Sequence, residues 1–111
     1  MDRMTEYREL VKCIIRENAE HKPSYGDTEV ETVFDDERGH YERLYVGWDR
    51  AGRVDGSVIH IDVRNGKIWI QHDGTEEGIA NKLLAAGVPH EHIVLGFHPP
   101  NMRKHTPFAV A

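Results

Sequence analysis

The feature that most restricts the fold is an Asn65-Gly66 pair set between two runs in which apolar and polar residues alternate. Both central residues of a type I′ turn need a positive φ, and Asn followed by Gly tolerates that conformation well. Alternation with a period of two is typical of strands that bury one face. The pair therefore predicts a β-hairpin with three facing pairs: Val63 with Ile68, Ile61 with Ile70, and Ile59 with His72.

Two further loops extend this hairpin, at 49–52 and at 37–39, and the strands are predicted at about 28–36, 40–48, 53–64 and 67–72. The predicted pairs are Trp48 with Arg53, Val46 with Asp55, Leu44 with Ser57, Phe34 with Glu42, and Thr32 with Leu44. In this register one face is strongly apolar, and a one-residue slip would break that agreement. Its members are Val30, Thr32, Phe34, Leu44, Val46, Trp48, Ile59, Ile61, Val63, Ile68 and Ile70.

Helical periodicity appears on both sides of the predicted strands. Residues 4–19 carry apolar side chains at steps of three and four, which predicts an amphipathic helix that ends before a turn at 23–27. A second helix is predicted after Thr75 as N-cap, with Gly87 as the residue just past its end. The expected fold is α+β: a single domain over 1–111, a four-stranded antiparallel meander with two helices on one face, and an irregular C-terminal segment.

Composition excludes several classes of function. The chain has 111 residues, a net charge of −5 and one cysteine, and its pI is about 5.9. A domain that binds nucleic acid alone usually has a pI above about 9. There is no apolar run long enough to cross a membrane and no signal-peptide pattern, so we expect a cytoplasmic protein that does not bind membranes.

The second face of the predicted sheet carries the most specific indication of function. Its predicted members are Tyr41, Arg43, Tyr45, Val58, His60, Asp62, Trp69 and Gln71. Aromatic residues beside arginine are typical of protein–protein contacts. We therefore predict a partner or oligomer surface that includes Tyr41, Arg43, Tyr45 and Trp69, with Phe108 added from the apolar C-terminus. A solvated face with incidental aromatic residues is the alternative.

Charge is distributed unevenly along the chain. Seven acidic residues and one arginine fall between Asp27 and Glu42. This stretch is either a charged strand edge that prevents aggregation or a docking site for a basic partner. Near the C-terminus, four residues are candidates for contact with phosphate or with a partner: His98, Asn101, Arg103 and Lys104.

Catalytic and metal-binding patterns are weak. The chain has no Gly-rich phosphate loop and no nucleophile elbow. His90-Glu91-His92 has histidines two apart, whereas zinc proteases need them four apart on one helical face. We therefore expect no enzyme activity, no catalytic residue, no cofactor and no metal site. A small metal-dependent hydrolase around His98, Asn101 and His105 is the least favoured alternative.

Motifs along the whole chain resemble those of XisI, the fdxN-element excision controlling factor family of cyanobacteria. The similar runs are Pro23-Ser24-Tyr25-Gly26-Asp27, Val46-Gly47-Trp48, Gly66-Lys67-Ile68-Trp69-Ile70-Gln71, Asp73-Gly74-Thr75-Glu76, Gly87-Val88-Pro89, Ile93-Val94-Leu95-Gly96-Phe97-His98 and Phe108-Ala109-Val110-Ala111.

The resemblance implies an accessory factor that acts with an XisH-like companion to control site-specific excision of a DNA element during genome rearrangement. It implies no catalytic or cofactor residues. The leading hypothesis is non-enzymatic binding to that companion, and the runner-up is direct DNA binding, which the acidic charge disfavours for the chain alone. Since both predicted helices cover one face of the sheet, we also predict a homodimer through the uncovered aromatic face.

Overall fold

A computed structural model describes residues 2–20 and 27–111 of the chain, so the predicted turn at 23–27 lies almost wholly outside the described residues. Its helices are α1 (Arg3–Ala19), α2 (Ile79–Ala85) and α3 (Pro100–Arg103), with a 3₁₀ turn at His90–His92. Its strands are β1 (Asp27–Asp35), β2 (His40–Asp49), β3 (Gly52–Arg64), β4 (Lys67–Asp73) and β5 (Ile93–Leu95).

The strands form one sheet in the order β1-β2-β3-β4-β5. The first four strands are antiparallel neighbours, as predicted, and β5 pairs parallel to β4. The α+β class is confirmed, but the described residues contain five strands rather than four. The apolar run at 93–95, for which a buried segment but no strand was predicted, is the added strand.

Turn chemistry predicted most of the hairpin geometry. Asn65 and Gly66 both have positive φ, 54° and 75°, and the pairs Val63–Ile68 and Ile61–Ile70 are confirmed. On β2 and β3 the pairs Trp48–Arg53, Val46–Asp55 and Leu44–Ser57 are also confirmed.

Two register shifts were not predicted. One lies between Arg43 and Leu44 and the other between His60 and Ile61. Each adds one residue to a strand, so side chains beyond it change their partner and, in the first case, their face. The predicted pair Ile59–His72 is therefore wrong: Ile59 faces Asp73 and His60 faces His72.

The loop between β1 and β2 is one residue longer than predicted. Asp35 pairs with His40, and the four residues between them form the turn. Gly39 takes the left-handed conformation expected of it, with φ 66°. Because the loop gains a residue, the predicted pairs Phe34–Glu42 and Thr32–Leu44 are wrong, and Phe34 faces Tyr41 instead.

The two longer helices cover one face of the sheet, as predicted. Asp2 caps α1 by accepting a hydrogen bond from the Thr5 amide at 2.9 Å. Helix α1 packs mainly on β1, β2 and β3, and α2 on β4. Between them and the sheet lies a core of isoleucine, valine, leucine and two tyrosines: Tyr7, Val11, Ile14, Ile15, Tyr41, Ile59, Ile61, Val63, Ile68, Ile70, Ile79, Leu83, Val88, Ile93 and Leu95.

Helix α2 begins later than predicted. Its N-cap is Gly78 rather than Thr75, because the Asp73 carboxylate organises the intervening loop by accepting from the amides of Thr75 (2.9 Å) and Ile79 (2.7 Å). Its end agrees with the prediction. Gly87 has φ 96°, and the Val88 amide donates back to the Leu83 carbonyl at 3.0 Å, which is a Schellman ending.

The C-terminal segment docks on its own chain. The Ala109 amide donates to the Ile93 carbonyl at 2.9 Å, beside the outer edge of β5. Phe108 packs against the core, and Lys67 donates a hydrogen bond to Ala111. Among the described residues, no helix is long and apolar enough to cross a membrane.

Candidate functional site

The face of the sheet opposite α1 is the candidate functional surface, and we call it the open face. Alternation along each strand and the observed register assign its members. On β1 and β2 they are Glu29, Glu31, Val33, His40, Glu42, Leu44, Val46 and Trp48; on β3 and β4 they are Arg53, Asp55, Ser57, His60, Asp62, Trp69 and Gln71.

Four residues predicted for this face lie on the helix side instead: Tyr41, Arg43, Tyr45 and Val58. Tyr41 is fully buried in the core, and its hydroxyl donates to the Asp36 carboxylate at 2.7 Å. Burial, with this hydrogen bond, raises the pKa of Tyr41. The prediction that Tyr41, Arg43 and Tyr45 share a face with Trp69 is wrong, because the extra residue Val58 in β3 reverses the faces of the whole of β2 relative to Ile59, Ile61 and Val63.

Arg43 and Tyr45 border a cleft of about 560 Å³ on the helix side, between the end of α1 and the loop before α2. Arg43 is buried, its guanidinium donates to the Tyr45 hydroxyl at 3.1 Å, and it lies 4.7 Å from the centre of that ring. These two side chains therefore support each other inside the fold rather than extending from the open face.

Trp69 does lie on the open face, but it is partly covered. The Arg64 guanidinium lies 4.2 Å from the ring centre, and that of Arg103 lies 5.4 Å from it. Arg103 reaches this position because its Nε donates to the carbonyls of His98 (3.0 Å) and Leu95 (3.3 Å). Tyr41 and Tyr45 are therefore not available for the predicted homodimer surface, and Trp69 is available only in part.

A different group of apolar side chains lies on the open face, where Trp48 is exposed and Leu44 and Val46 are half-buried. Leu44, Val46 and Trp48 follow one another along β2, and we call them the apolar strip. Trp48 is 58% exposed, and Arg53 lies across its ring at 5.5 Å. The alternation pattern predicted all three in the core, because without the extra residue Val58 in β3 they would lie on the same face as Ile59.

Acidic residues flank the apolar strip on both sides. Glu31 and Glu29 of β1 face Leu44 and Val46, and Asp55 of β3 faces Val46 from the other side. All three carboxylates are exposed. An apolar centre with a polar rim is the usual composition of a protein-binding patch, and here the rim is negative.

A histidine–carboxylate cluster occupies the same face at the start of β2. It consists of His40 and Glu42 on β2 with His60 and Asp62 on β3. His40 Nδ1 lies 2.9 Å from Asp62 Oδ1, and His60 Nε2 lies 3.4 Å from the same oxygen. Burial alone lowers the pKa of His40, but the hydrogen bonds that its ring donates to Asp62 and Glu42 outweigh this effect, so the pKa is raised.

The C-terminal candidate residues differ in whether their side chains already have contacts within the chain. Arg103 is committed to backbone carbonyls and the Trp69 ring, whereas Asn101 and Lys104 are exposed. The His98 ring stacks on Phe97, with ring centres 4.6 Å apart. Among the described residues, the one group of three or more histidine, cysteine or acidic side chains close enough to share a metal is His40, His60 and Asp62, far along the chain from His98 and His105.

Repetition in the sequence could have revealed the histidine–carboxylate cluster. His40-Tyr41-Glu42 and His60-Ile61-Asp62 are both histidine–apolar–acid triplets, and in a strand the outer two residues of a triplet share a face. What the sequence did not supply was the register that places the triplets side by side.

Comparison with known proteins agrees with the resemblance found in the sequence. Residues 1–110 match the profile of the family described as XisI protein. The crystal structure of a XisI-like protein from Anabaena variabilis ATCC 29413 is similar with a TM-score of 0.91 and 41% identity, over 97% of this chain and 99% of that one. The crystal structure of fdxN element excision controlling factor XisI from the same organism gives 0.84 and 35%, over 99% and 100%. No curated protein sequence matches.

Proposed function

Because the chain belongs to the XisI family, we propose that it is an accessory factor controlling site-specific excision of a DNA element. A structural neighbour 35% identical over 99% of this chain is the fdxN element excision controlling factor XisI, which supports this setting. In our proposal the chain acts in the cytoplasm, non-enzymatically, by binding a protein partner, an XisH-like companion.

The observation that carries the proposal is the apolar strip with its acidic rim. Trp48 is the most exposed large apolar side chain among the described residues, and tryptophan is enriched among the residues that dominate binding energy. Glu29, Glu31 and Asp55 place negative charge on both sides of the strip at Leu44 and Val46, while Arg53 lies across Trp48 at its end. The fitting partner therefore presents an apolar centre inside a basic rim, and the charges raise its association rate.

Co-purification and calorimetry with the XisH-like companion test this proposal. We expect Trp48→Ala to weaken the complex by about 30-fold, since a central tryptophan contributes roughly 2 kcal/mol or more. Met102→Ala is the matched control, because Met102 is exposed to a similar degree (49%) but lies on α3, away from the strip. Absence of a complex at micromolar concentrations, or equal loss with the control, would contradict the proposal.

Direct DNA binding predicts a different result in the same preparation. A phosphate-binding chain would retain element-end DNA at low salt and lose it steeply as salt rises. Arg103, the predicted phosphate contact, already holds backbone carbonyls, which leaves Lys104 as the exposed cation of that pair. We therefore expect no gel shift by the chain alone.

Self-association stays a prediction and is tested on the isolated chain. A homodimer would now use the apolar strip rather than Tyr41 and Tyr45. Light scattering at high micromolar concentration distinguishes a dimer from a monomer of 12.7 kDa, and Trp48→Ala should shift a dimer toward the monomer.

A further inference from the structure

The histidine–carboxylate cluster has the composition and shape of a metal site. Its two triplets lie on neighbouring antiparallel strands, where His40 faces Asp62 and Glu42 faces His60. All four side chains therefore meet on the open face within one small square. The strand framework fixes their backbone positions, so little ordering is needed to bring the donors together.

The distances between the donor atoms suit a small divalent cation. One ligand atom from each of His40, His60 and Asp62 lies within 4.8 Å of the other two, and Asp62 Oδ1 is 2.9 Å from His40 Nδ1 and 3.4 Å from His60 Nε2. Zinc bonds of about 2.0–2.1 Å in a tetrahedron separate neighbouring ligand atoms by roughly 3.3 Å. The three donors thus need only small side-chain shifts to share one ion.

A second layer of contacts holds these donors in place. Glu42 lies against the other nitrogen of both rings, with its Oε2 3.2 Å from His40 Nε2 and its Oε1 3.7 Å from His60 Nδ1. The Gln71 side chain donates to Asp62 Oδ2 at 3.1 Å. In metal sites a carboxylate commonly orients a ligating histidine through its second nitrogen, and Glu42 is placed to do this for two.

Two features of the cluster favour a bound cation. His60 Nε2 is buried and has no hydrogen-bond partner, although Asp62 Oδ1 lies 3.4 Å from it. Among the described residues, no lysine or arginine lies within ion-pair distance of Glu42 or Asp62. An unsatisfied buried nitrogen and two neighbouring carboxylates both cost free energy, and a bound cation removes both costs.

We propose that this chain binds one divalent transition-metal ion, Zn²⁺ by preference, through His40 Nδ1, His60 Nε2 and Asp62 Oδ1. Imidazole nitrogen favours zinc and its neighbours over magnesium or calcium. Three protein ligands leave one coordination position for water or for a side chain of a bound protein. The site is independent of the proposed function, since it uses none of the residues of the apolar strip.

Titration of the chelator-treated protein with Zn²⁺ by calorimetry, and with Co²⁺ by visible absorption, tests this proposal. We expect one ion per chain, with a cobalt spectrum of tetrahedral type. His60→Ala should abolish stoichiometric binding, and Glu42→Gln should weaken it by about 10- to 100-fold because it alters only the orienting layer. His105→Ala is the matched control, an exposed histidine outside the cluster, and should bind normally.

Circular dichroism of each variant shows whether it is folded before its titration is interpreted, and Glu42→Gln, which conserves side-chain size, serves if His60→Ala fails to fold. No binding by the wild-type chain at millimolar Zn²⁺ would overturn the proposal. So would one ion per chain retained in His60→Ala, or equal weakening by Glu42→Gln and by the control.

Discussion

Replacement of Tyr41 tests which side chains of β2 lie toward the helices, an arrangement that the alternation pattern did not predict. In the structure the ring is fully buried and tilted against Phe34, with ring centres 5.9 Å apart. Truncating a buried aromatic side chain to alanine costs about 3–5 kcal/mol. Truncating one on an exposed surface usually changes stability by less than about 0.5 kcal/mol.

Tyr41→Phe isolates the contribution of the hydroxyl group. It removes the 2.7 Å hydrogen bond to Asp36, which also accepts from Lys12 Nζ at 3.0 Å. A hydrogen bond to a charged group contributes about 1.5–3 kcal/mol. Because the Asp36 side chain is 59% exposed, water screens this bond, and we expect a loss of about 1 kcal/mol for Tyr41→Phe.

Urea unfolding followed by circular dichroism measures both losses. Trp48→Ala is the matched control, an aromatic residue on the same strand but on the open face, and should cost less than about 1 kcal/mol. An unchanged m-value is needed for the comparison. If Tyr41→Ala costs no more than Trp48→Ala, the assignment of β2 side chains to the two faces is wrong.

Three further perturbations follow from the same contacts. The Tyr41 and Lys12 hydrogen bonds hold the pKa of Asp36 below its ordinary 3.8, so its stabilising effect is present above that value and is lost as the pH falls below it. In urea titrations, the stability difference between wild type and Asp36→Asn should be constant above about pH 5 and should shrink below about pH 4. Gly39 has φ 66° and lies against the Val63 carbonyl, so Gly39→Ala should lower the free energy of unfolding by more than about 2 kcal/mol. Gly87 has open space around it, so Gly87→Ala should lower it by only about 1 kcal/mol. Thermal melts measure both losses. Arg103→Ala should cost about 2 kcal/mol and shift tryptophan emission to the red, while a result equal to that of exposed Lys104→Ala would contradict the role of Arg103.

Local chemistry made the hairpins predictable from the sequence. Asn65-Gly66 and Gly39 require positive φ, and the structure gives both turns that geometry. The strand bounds follow within one or two residues because alternation and turn residues agree there. The end of α2 before Gly87 was predictable for the same reason.

The positions of the two bulges were not predictable from the alternation pattern. At the first shift the partners of Arg43 and Leu44 are Ile59 and Ser57, so Val58 is an extra residue in β3. Gly56 is the one local signal near it, since glycine inside a strand often marks a bulge, but it does not give the position of the extra residue. This single residue reversed which face of β2 lies toward the helices, and it turns Tyr41 and Arg43 inward under α1. It moved Tyr41 into the core and Trp48 out of it, and it brought His40 beside Asp62.

Strand β5 was missed for a different reason. Ile93, Val94 and Leu95 are all buried, so apolar and polar residues do not alternate in this run. Because β5 is parallel to β4, no tight hairpin turn joins the two strands, and the sequence lacks that signal as well. Continuous apolar runs of this length fit a buried strand or a buried loop equally well.

The two tryptophans offer the most direct test of partner binding through the open face. The chain contains only Trp48 and Trp69, and both lie on that face, so the ¹⁵N spectrum holds two indole signals as reporters. Titration with the XisH-like companion should shift or broaden the Trp48 signal strongly, because Trp48 lies in the apolar strip. Formation of a complex that leaves the Trp48 signal unchanged would contradict binding through this surface.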